Sequence, residues 1–156
     1  MYFVQWDTTV KSCKVVLHSI VERKYNFQSI MSVNKLTSSY MISAIHSGVK
    51  IEKSADNLIV RVKIDKIDSS IMEFKDNCGF FIEYDCDNIM DLRNLCDNTH
   101  CQTIGFLGEK KDIIPIITSG IKGVDRIVPI GKTMDFDLIW DGYNLYERLT
   151  RIIKFV

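Results

Sequence analysis

Apolar residues recur every three or four positions through residues 10–45, which is the period of amphipathic helices. After a short predicted strand at residues 2–6, the side chains of Asp7-Thr8-Thr9 can cap a first helix. A second helix is predicted over residues 33–45, ended by Gly48. The residues expected to face inward are Val10, Cys13, Val16, Leu17, Ile20 and Val21 in the first helix, and Val33, Leu36, Tyr40, Met41, Ala44 and Ile45 in the second.

The period changes to two in residues 49–65, which predicts a β-hairpin. Residues 54–57 supply turn-forming side chains between its two arms. Alternation in the second arm predicts one buried and one solvent-facing side. The inward residues are expected to be Leu58, Val60, Val62 and Ile64, with Arg61 and Lys63 opposite them.

The second half of the chain alternates strand-like and helix-like patterns. Strands are predicted at 79–84, 102–107 and 126–130, and helices at 88–96, 112–121 and 143–155. If Asp112 caps its helix, Pro115 lies in the first turn, where a missing N–H costs little. Leu145, Leu149, Ile152, Ile153 and Val156 form a stripe that predicts the terminal helix. Strands joined by helical crossovers favour a parallel or mixed sheet, so the predicted class is α/β.

Length and charge limit the classes of function that this chain can have, but they do not identify one. The 156 residues suffice for a single domain over residues 1–156, and no linker or repeat divides them. Twenty basic and twenty acidic residues cancel, which argues against nucleic-acid binding. No apolar run is long enough to span a membrane. Five cysteines without a Cys-x-x-Cys pair fit a reducing compartment, so a cytoplasmic location is expected.

Residues 123–142 are the most informative segment of the chain. They read Gly-Val-Asp-Arg-Ile-Val-Pro-Ile-Gly-Lys-Thr-Met-Asp-Phe-Asp-Leu-Ile-Trp-Asp-Gly: a strand, an acidic and apolar loop, and an expected helix start. This segment closely resembles the C-terminal signature of the acyl-CoA reductases, specifically the fatty acyl-CoA reductases of the bacterial luminescence type, within the aldehyde dehydrogenase superfamily. The similarity is specific over residues 123–156 and moderate over residues 20–122, where Gly79 and Gln102-Thr103 match the family pattern.

The resemblance implies part of an aldehyde dehydrogenase catalytic domain and NADPH-dependent reduction of fatty acyl thioesters to aldehydes. In that family a cysteine thiolate attacks the acyl carbonyl, and the nicotinamide cofactor exchanges hydride with the adduct. The family's nucleophile and dinucleotide-binding domain lie upstream of the matched residues, and this chain has no Gly-x-Gly-x-x-Gly turn. The chain alone is therefore expected to be inactive and to contribute no catalytic residue.

The resemblance also indicates candidate binding residues. Asp76 lies three residues before Gly79, where relatives commonly keep a Glu that binds the nicotinamide ribose; a solvated loop aspartate is the alternative. Trp140 is a candidate wall of the acyl or nicotinamide pocket, or a core aromatic. Asp141 is a candidate substrate contact or a cap of the terminal helix. Arg126 either reaches toward a phosphate or forms an ion pair with Asp125.

Other reactive side chains are assigned structural roles. Cys86 precedes a predicted helix and is the best alternative thiol, although no family position supports it. Cys96, His100 and Cys101 form a cluster that lacks a nearby fourth ligand, so a zinc site is disfavoured and no metal is predicted. His18 and His46 lie on predicted helices without a partner signal.

A rival hypothesis from another class is a non-catalytic docking or oligomerisation module. The partner would be a second copy of the chain or a complementing N-terminal half, since enzymes of this superfamily assemble through C-terminal elements. An exposed apolar face is the feature that this hypothesis requires.

Overall fold

The computed structural model describes residues 10–76, 78–97 and 101–155, with side chains from Leu17 onward. The predicted strand at residues 2–6 and the predicted cap Asp7-Thr8-Thr9 lie outside these ranges. The described chain divides into two compact units, here named the N-terminal unit (residues 10–88) and the C-terminal unit (residues 89–155). The single domain over residues 1–156 stays a prediction.

Two helices begin the N-terminal unit, as the helical period predicts. Helix α1 spans Val10–Lys24 and ends with Arg23 and Lys24, whose charges suit the negative end of a helix. Helix α2 spans Ser29–Ile45 and begins four residues before the predicted start. Gln28 has extended backbone angles and therefore marks the point where the helix begins.

The face that α2 buries is opposite to the predicted one. Its buried residues are Lys35, Ser39 and Ile42. Leu36 is half-buried, and the other five residues expected to face inward are exposed: Val33, Tyr40, Met41, Ala44 and Ile45. Ile20 on α1 is likewise 40% exposed. The reversal follows from the contact of α2 with strand β2 (Val60–Ile64), because Lys35 is hydrogen-bonded to the backbone just before that strand.

A three-stranded sheet completes the N-terminal unit. Strand β1 (Lys50–Lys53) is antiparallel to β2, and β3 (Phe80–Tyr84) is parallel to β2 on its other side. The predicted hairpin is confirmed, with Val60, Val62 and Ile64 buried. A 3₁₀ helix at Ser69–Glu73 lies in the connection between β2 and β3.

Arg61 links all three strands on the less buried face of this sheet. Its Nη2 donates to Glu83 Oε2 on β3 at 2.7 Å, and its Nη1 donates to Glu52 Oε2 on β1 at 2.9 Å. The side chains of Arg61 and Glu83 are only 17% and 15% exposed, so this pair is partly shielded from water, whereas Glu52 is largely exposed. Paired charges at this depth contribute more than exposed surface pairs do.

The C-terminal unit contains a parallel strand pair with a helix between its strands. A 3₁₀ helix at Ile89–Leu92 leads into α3 (Arg93–Cys96), and strand β4 follows at Thr103–Phe106. Helix α4 (Lys110–Thr118) connects β4 to the parallel strand β5 (Arg126–Pro129). The predicted parallel pairing across a helical crossover is confirmed for this pair. The core includes Leu92, Leu95, Cys96, Cys101, Ile104, Ile113 and Ile116.

Helix α4 starts earlier than predicted, and this changes the position of its proline. Glu109 is the N-cap residue and forms a capping box with Asp112, in which the Glu109 N–H donates to Asp112 Oδ2 at 3.3 Å. Asp112 is therefore the third helical residue rather than the cap. Pro115 lies in the helix interior, not in the first turn, so it cannot donate to the carbonyl of Lys111.

The terminal helix is much shorter than the stripe of apolar residues predicts. A two-stranded hairpin, β6 (Ile139–Trp140) and β7 (Tyr143–Asn144), precedes α5, which spans only Leu145–Leu149. Leu149, Ile152, Ile153 and Phe155 are 79–99% exposed. Short helices depend on tertiary burial of an apolar face, and the described residues do not bury this stripe. The observed class is α/β with small parallel and mixed sheets.

Candidate functional site

Asp141 and Gly142 form the turn of the β6–β7 hairpin. Their φ angles are +47° and +76°, and positive φ at both positions is characteristic of a type I′ turn, for which Asp-Gly is a favoured sequence. Of the two alternatives for Asp141, the helix cap is therefore wrong, and the substrate contact stays a prediction. Asn144 caps α5 instead, because its side chain accepts a hydrogen bond from the Tyr146 N–H at 3.1 Å.

Trp140, on the strand before this turn, contacts the predicted binding residue Arg126. The guanidinium carbon of Arg126 lies 4.0 Å from the centroid of the Trp140 ring. The Phe136 ring lies 5.4 Å from Trp140, centroid to centroid, at an interplanar angle of 30°. We call Arg126, Phe136 and Trp140 the Arg126–Trp140 cluster. The structure thus brings together two side chains that the sequence singles out separately.

The loop after β5 holds the guanidinium of Arg126 in place. Arg126 donates to the Asp135 carbonyl oxygen at 3.0 Å and to the carbonyl oxygen of Thr133, rather than forming the alternative ion pair with Asp125. The Asp135 carboxylate pairs with Lys132 at 2.9 Å. Carbonyl oxygens do not neutralise the positive charge of the guanidinium, so it remains able to attract an anion.

The chemistry of this cluster suits a planar or phosphate-bearing ligand. Arg126 and Trp140 are both half-buried, so part of each remains accessible to solvent. A guanidinium stacked on an indole presents a flat cationic and aromatic surface. Its in-plane N–H groups match phosphate or carboxylate oxygens. The cluster contains no general base or nucleophile, so its own chemistry is binding.

Asp76 belongs to the other unit, between the 3₁₀ helix and β3. It is half-buried, and its charge acts on the nearby ammonium of Lys35. Burial lowers the pKa of Lys35, while Cys78, Asp56 and Asp76 partly offset that effect. The predicted cofactor role of Asp76 stays a prediction.

Lys35 is a buried charge that the helical pattern does not predict. Only 1% of the residue is exposed. Its Nζ donates to the Leu58 carbonyl at 2.8 Å and the Cys78 carbonyl at 3.0 Å, and lies 4.6 Å from the centroid of the Phe27 ring. Lys35 is the one charged residue in the sequence of α2. This is the feature of the sequence that could have indicated a special role for Lys35.

Both described histidines have polar partners that the helical pattern does not indicate. His18 Nε2 lies 2.6 Å from Asp56 Oδ2. His46 Nε2 lies 3.3 Å from Ser70 Oγ, and His46 Nδ1 lies 3.8 Å from Asp68 Oδ2. The sequence separations are 38, 24 and 22 residues, so helical spacing alone could not indicate these contacts.

The described cysteines fall into half-buried and buried environments. Cys86, the alternative thiol, donates from Sγ to the Asn88 carbonyl at 2.7 Å. Cys96 and Cys101 are both fully buried. The hydrogen bond with Cys101, together with burial, raises the pKa of Cys96, which keeps that thiol protonated. His100, the third member of the sequence cluster, lies outside the described residues.

Comparisons of the chain with family models, with curated proteins and with solved structures found no match. Within residues 10–76, 78–97 and 101–155, no three His, Cys, Asp or Glu side chains are grouped as a metal site. In the same ranges, no helix combines the length and apolarity needed to cross a membrane.

Proposed function

We propose that this chain is the C-terminal part of an acyl-CoA reductase that reduces fatty acyl thioesters to aldehydes with NADPH. Its share of that activity is binding, and the nucleophilic cysteine and the dinucleotide domain come from other parts of the enzyme. On the same basis we propose that the α/β fold of this chain is part of an aldehyde dehydrogenase catalytic domain. The resemblance of residues 123–142 is its basis.

The observation that supports the proposal is the contact between Arg126 and Trp140. Both residues lie in the segment 123–142 and are fourteen positions apart in the sequence. The guanidinium carbon of Arg126 lies 4.0 Å from the centroid of the Trp140 ring. An acyl-CoA carries phosphates, an adenine ring and an apolar chain. A cationic and aromatic surface provides complementary contacts for the phosphates and for the adenine ring. Asp141, in the adjoining turn, is exposed and available for a further polar contact.

The binding proposal is tested by titrating the full chain with a long-chain acyl-CoA in a calorimeter. Arg126→Gln and Trp140→Leu are each expected to weaken binding about tenfold or more, since each removes one half of the stack. Arg148→Gln is the matched control, because Arg148 also lies over an aromatic ring, that of Tyr143 at 5.4 Å. Equal affinity in all variants would contradict the proposal.

The catalytic part of the proposal is tested by activity. The chain with acyl-CoA and NADPH is expected to leave the absorbance of the reduced cofactor unchanged. Addition of a dehydrogenase segment that carries the nucleophilic cysteine and the nucleotide domain is expected to give turnover. Turnover by the chain alone would contradict the assigned division of roles.

A second candidate function, self-association, is favoured by the exposed face of α2. Ile30, Val33, Met41 and Ile45 on this face are 51–60% exposed. The only charged residue of α2 is buried, so the face offers no charge for a charged partner to match. An uncharged face is complementary to its own copy across a twofold axis, which makes a second copy of this chain the proposed partner.

Sedimentation velocity over a concentration series tests this second candidate. A dimer is expected, and Met41→Glu is expected to shift it to monomer by placing a charge in the contact. Ser43→Glu is the matched control, because Ser43 is exposed but lies outside the apolar face. A monomer at all concentrations would exclude self-association and leave a complementing N-terminal half as the partner to test.

A further inference from the structure

The 3₁₀ helix of the N-terminal unit brings a serine and an aspartate to the histidine that ends α2. His46 is the C-cap residue of α2, and its backbone N–H donates to the Ile42 carbonyl at 2.8 Å. Its Nε2 lies 3.3 Å from Ser70 Oγ. Its Nδ1 lies 3.8 Å from Asp68 Oδ2. A hydroxyl and a carboxylate thus face opposite nitrogens of one imidazole ring.

This arrangement favours the histidine form that can accept a proton from serine. A carboxylate near Nδ1 stabilises the tautomer with hydrogen on Nδ1. Nε2 can then accept the Ser70 proton once the hydroxyl turns from the Asp68 carboxylate, to which it also forms a hydrogen bond. Only 8% of the His46 side chain is exposed, whereas the Asp68 carboxylate beside it is open to solvent.

Asp68 is held in position by the same serine. Its Oδ1 accepts from the Ser70 N–H at 2.8 Å, which caps the 3₁₀ helix. Hydrogen bonds from the Ser70 side chain and backbone, with the charge of His46, lower the pKa of Asp68. The carboxylate is therefore ionised at neutral pH. Its side chain is 55% exposed, so the site is open to solvent on this side.

We propose that Ser70, His46 and Asp68 form an acyl-transfer site that hydrolyses small activated esters. Ser70 and His46 are its catalytic residues, and Asp68 is a positioning residue. This site goes beyond the acyl-CoA reductase proposal and uses none of the residues of the Arg126–Trp140 cluster. The 3.3 Å contact of Ser70 with His46 and the 3.8 Å separation of His46 and Asp68 are expected to shorten when substrate binds, as contacts in unliganded sites commonly do.

The reaction has two balanced steps. The Ser70 oxygen forms a bond to the acyl carbon, the bond from that carbon to the leaving oxygen breaks, and the serine proton passes through His46 Nε2 to the leaving alkoxide. Water then attacks the acyl-serine, its proton passes to His46 and on to Ser70, and the carboxylic acid is released. No cofactor, oxidant or metal enters either step.

The first experiment identifies the nucleophile with a fluorophosphonate probe and the full chain. Mass spectrometry of the digested product is expected to locate the phosphonyl group on Ser70. Ser70→Ala is expected to abolish labelling and the release of p-nitrophenol from p-nitrophenyl acetate. Ser69→Ala is the matched control, since Ser69 is the exposed neighbour in the same 3₁₀ helix, and it should retain both. Labelling spread equally over Ser69 and Ser70 would overturn the proposal.

The second experiment separates catalysis from folding. His46→Gln is expected to slow labelling about a hundredfold or more, the usual contribution of a general base. Asp68→Asn retains a capping side chain but loses the charge, so it is expected to stay folded with a slightly lower melting temperature and to lose about tenfold in labelling rate. Asp68→Glu keeps the charge and should recover part of that rate. Labelling rates unchanged in His46→Gln and Asp68→Asn would overturn the assignment of roles.

Discussion

Gly79 shows how one position controls the start of β3. Its φ is +88°, and a Cβ atom there would lie 2.3 Å from the Leu58 carbonyl oxygen and 3.0 Å from the Ile59 side chain. The Gly79 carbonyl also accepts from the Val60 N–H at 2.9 Å, which joins β3 to β2. Both the backbone angle and the space therefore require glycine at this position.

Gly79→Ala is expected to destabilise the protein much more than Gly120→Ala. Gly120 has a similar φ of +74°, but a Cβ atom there would meet nothing within 4 Å, so alanine costs only the backbone strain of about 1 kcal/mol. Overlap with backbone at Gly79 adds about 1–3 kcal/mol. Urea unfolding followed by circular dichroism measures both. Equal losses of unfolding free energy in the two variants would show that the Leu58 carbonyl moves away from the added Cβ atom at little energetic cost.

Asp56 makes stability depend on pH in the acidic range. Hydrogen bonds from Ser54, the Leu58 N–H and His18 lower the pKa of Asp56 from 3.8 to about 2. A carboxyl whose pKa is lower in the folded state stabilises the protein above its unfolded pKa, and this contribution disappears as the pH falls from about 4 to about 2.

The advantage of wild type over Asp56→Asn is therefore expected to shrink over that interval. Melting temperatures of the two proteins at successive pH values measure it. Ser54→Ala removes the largest cause of the shift and is expected to reduce the pH dependence in an otherwise unchanged chain. A wild-type advantage that stays constant from pH 4 to pH 2 would contradict the assignment to Asp56.

Part of the candidate site could be predicted from the sequence at this scale. The segment that contains Arg126 and Trp140 stood out by its resemblance, and the two side chains do stack. The role of Asp141 was not predictable from capping preference alone, because Asp-Gly favours a type I′ turn equally well. Contacts such as His46 with Ser70 depend on the path of the chain over 24 residues and leave no periodic signal.

At the scale of elements, α2 is the helix whose buried face was predicted wrongly. Periodicity predicted its existence, but both sides of the helix carry apolar residues, so the period did not decide which side is buried. The deciding contact is that of Lys35 with the carbonyls of Leu58 and Cys78, which lie 23 and 43 residues away. Such long-range hydrogen bonds override the hydrophobic pattern.

Two isoleucines on α2 provide a direct test of this orientation. Ile42→Ala is expected to cost about 2–5 kcal/mol, because Ile42 is fully buried and its truncation leaves a cavity. Ile45→Ala, three positions later at a residue that is 60% exposed, is expected to cost well under about 1 kcal/mol. Chemical unfolding of both variants measures the difference. The reverse order would restore the orientation predicted from the sequence.

Several other elements were predicted from local signals, although the predicted helix at 88–96 is a 3₁₀ helix followed by the four-residue α3, and the β6–β7 hairpin was not predicted. The β1–β2 hairpin, the strands β3, β4 and β5, and the crossover helix α4 are all present. The terminal helix was overpredicted because its apolar stripe was read as evidence of burial. Residues 150–155 are exposed in the structure, and a stripe without a covering surface does not stabilise a helix.

For the whole molecule, the balance of charge is the dominant property. Twenty basic and twenty acidic residues give a net charge of zero at pH 7, and the isoelectric point is about 6.8. Large apolar residues such as Met134, Phe136 and Leu149 are 70–79% exposed. Without net charge, little repulsion opposes the association of such surfaces.

Solubility is therefore expected to be lowest near pH 6.8 and to rise on both sides of it. Ammonium sulfate precipitation across a pH series measures this. Lys53→Glu, an exposed change on β1, lowers the net charge by two and should move the minimum to lower pH. A minimum at the same pH in both proteins would show that a local apolar contact, rather than net charge, controls association.

The hydrogen bonds of Lys35 restrict which residues can replace it during evolution. One ammonium group serves two carbonyls from separate parts of the chain, those of Leu58 and Cys78. A natural variant with methionine at position 35 would leave both oxygens without that donor. Substitution there should accordingly be accompanied by a new donor near the Cys78-Gly79 turn, so the two regions are expected to covary in related chains.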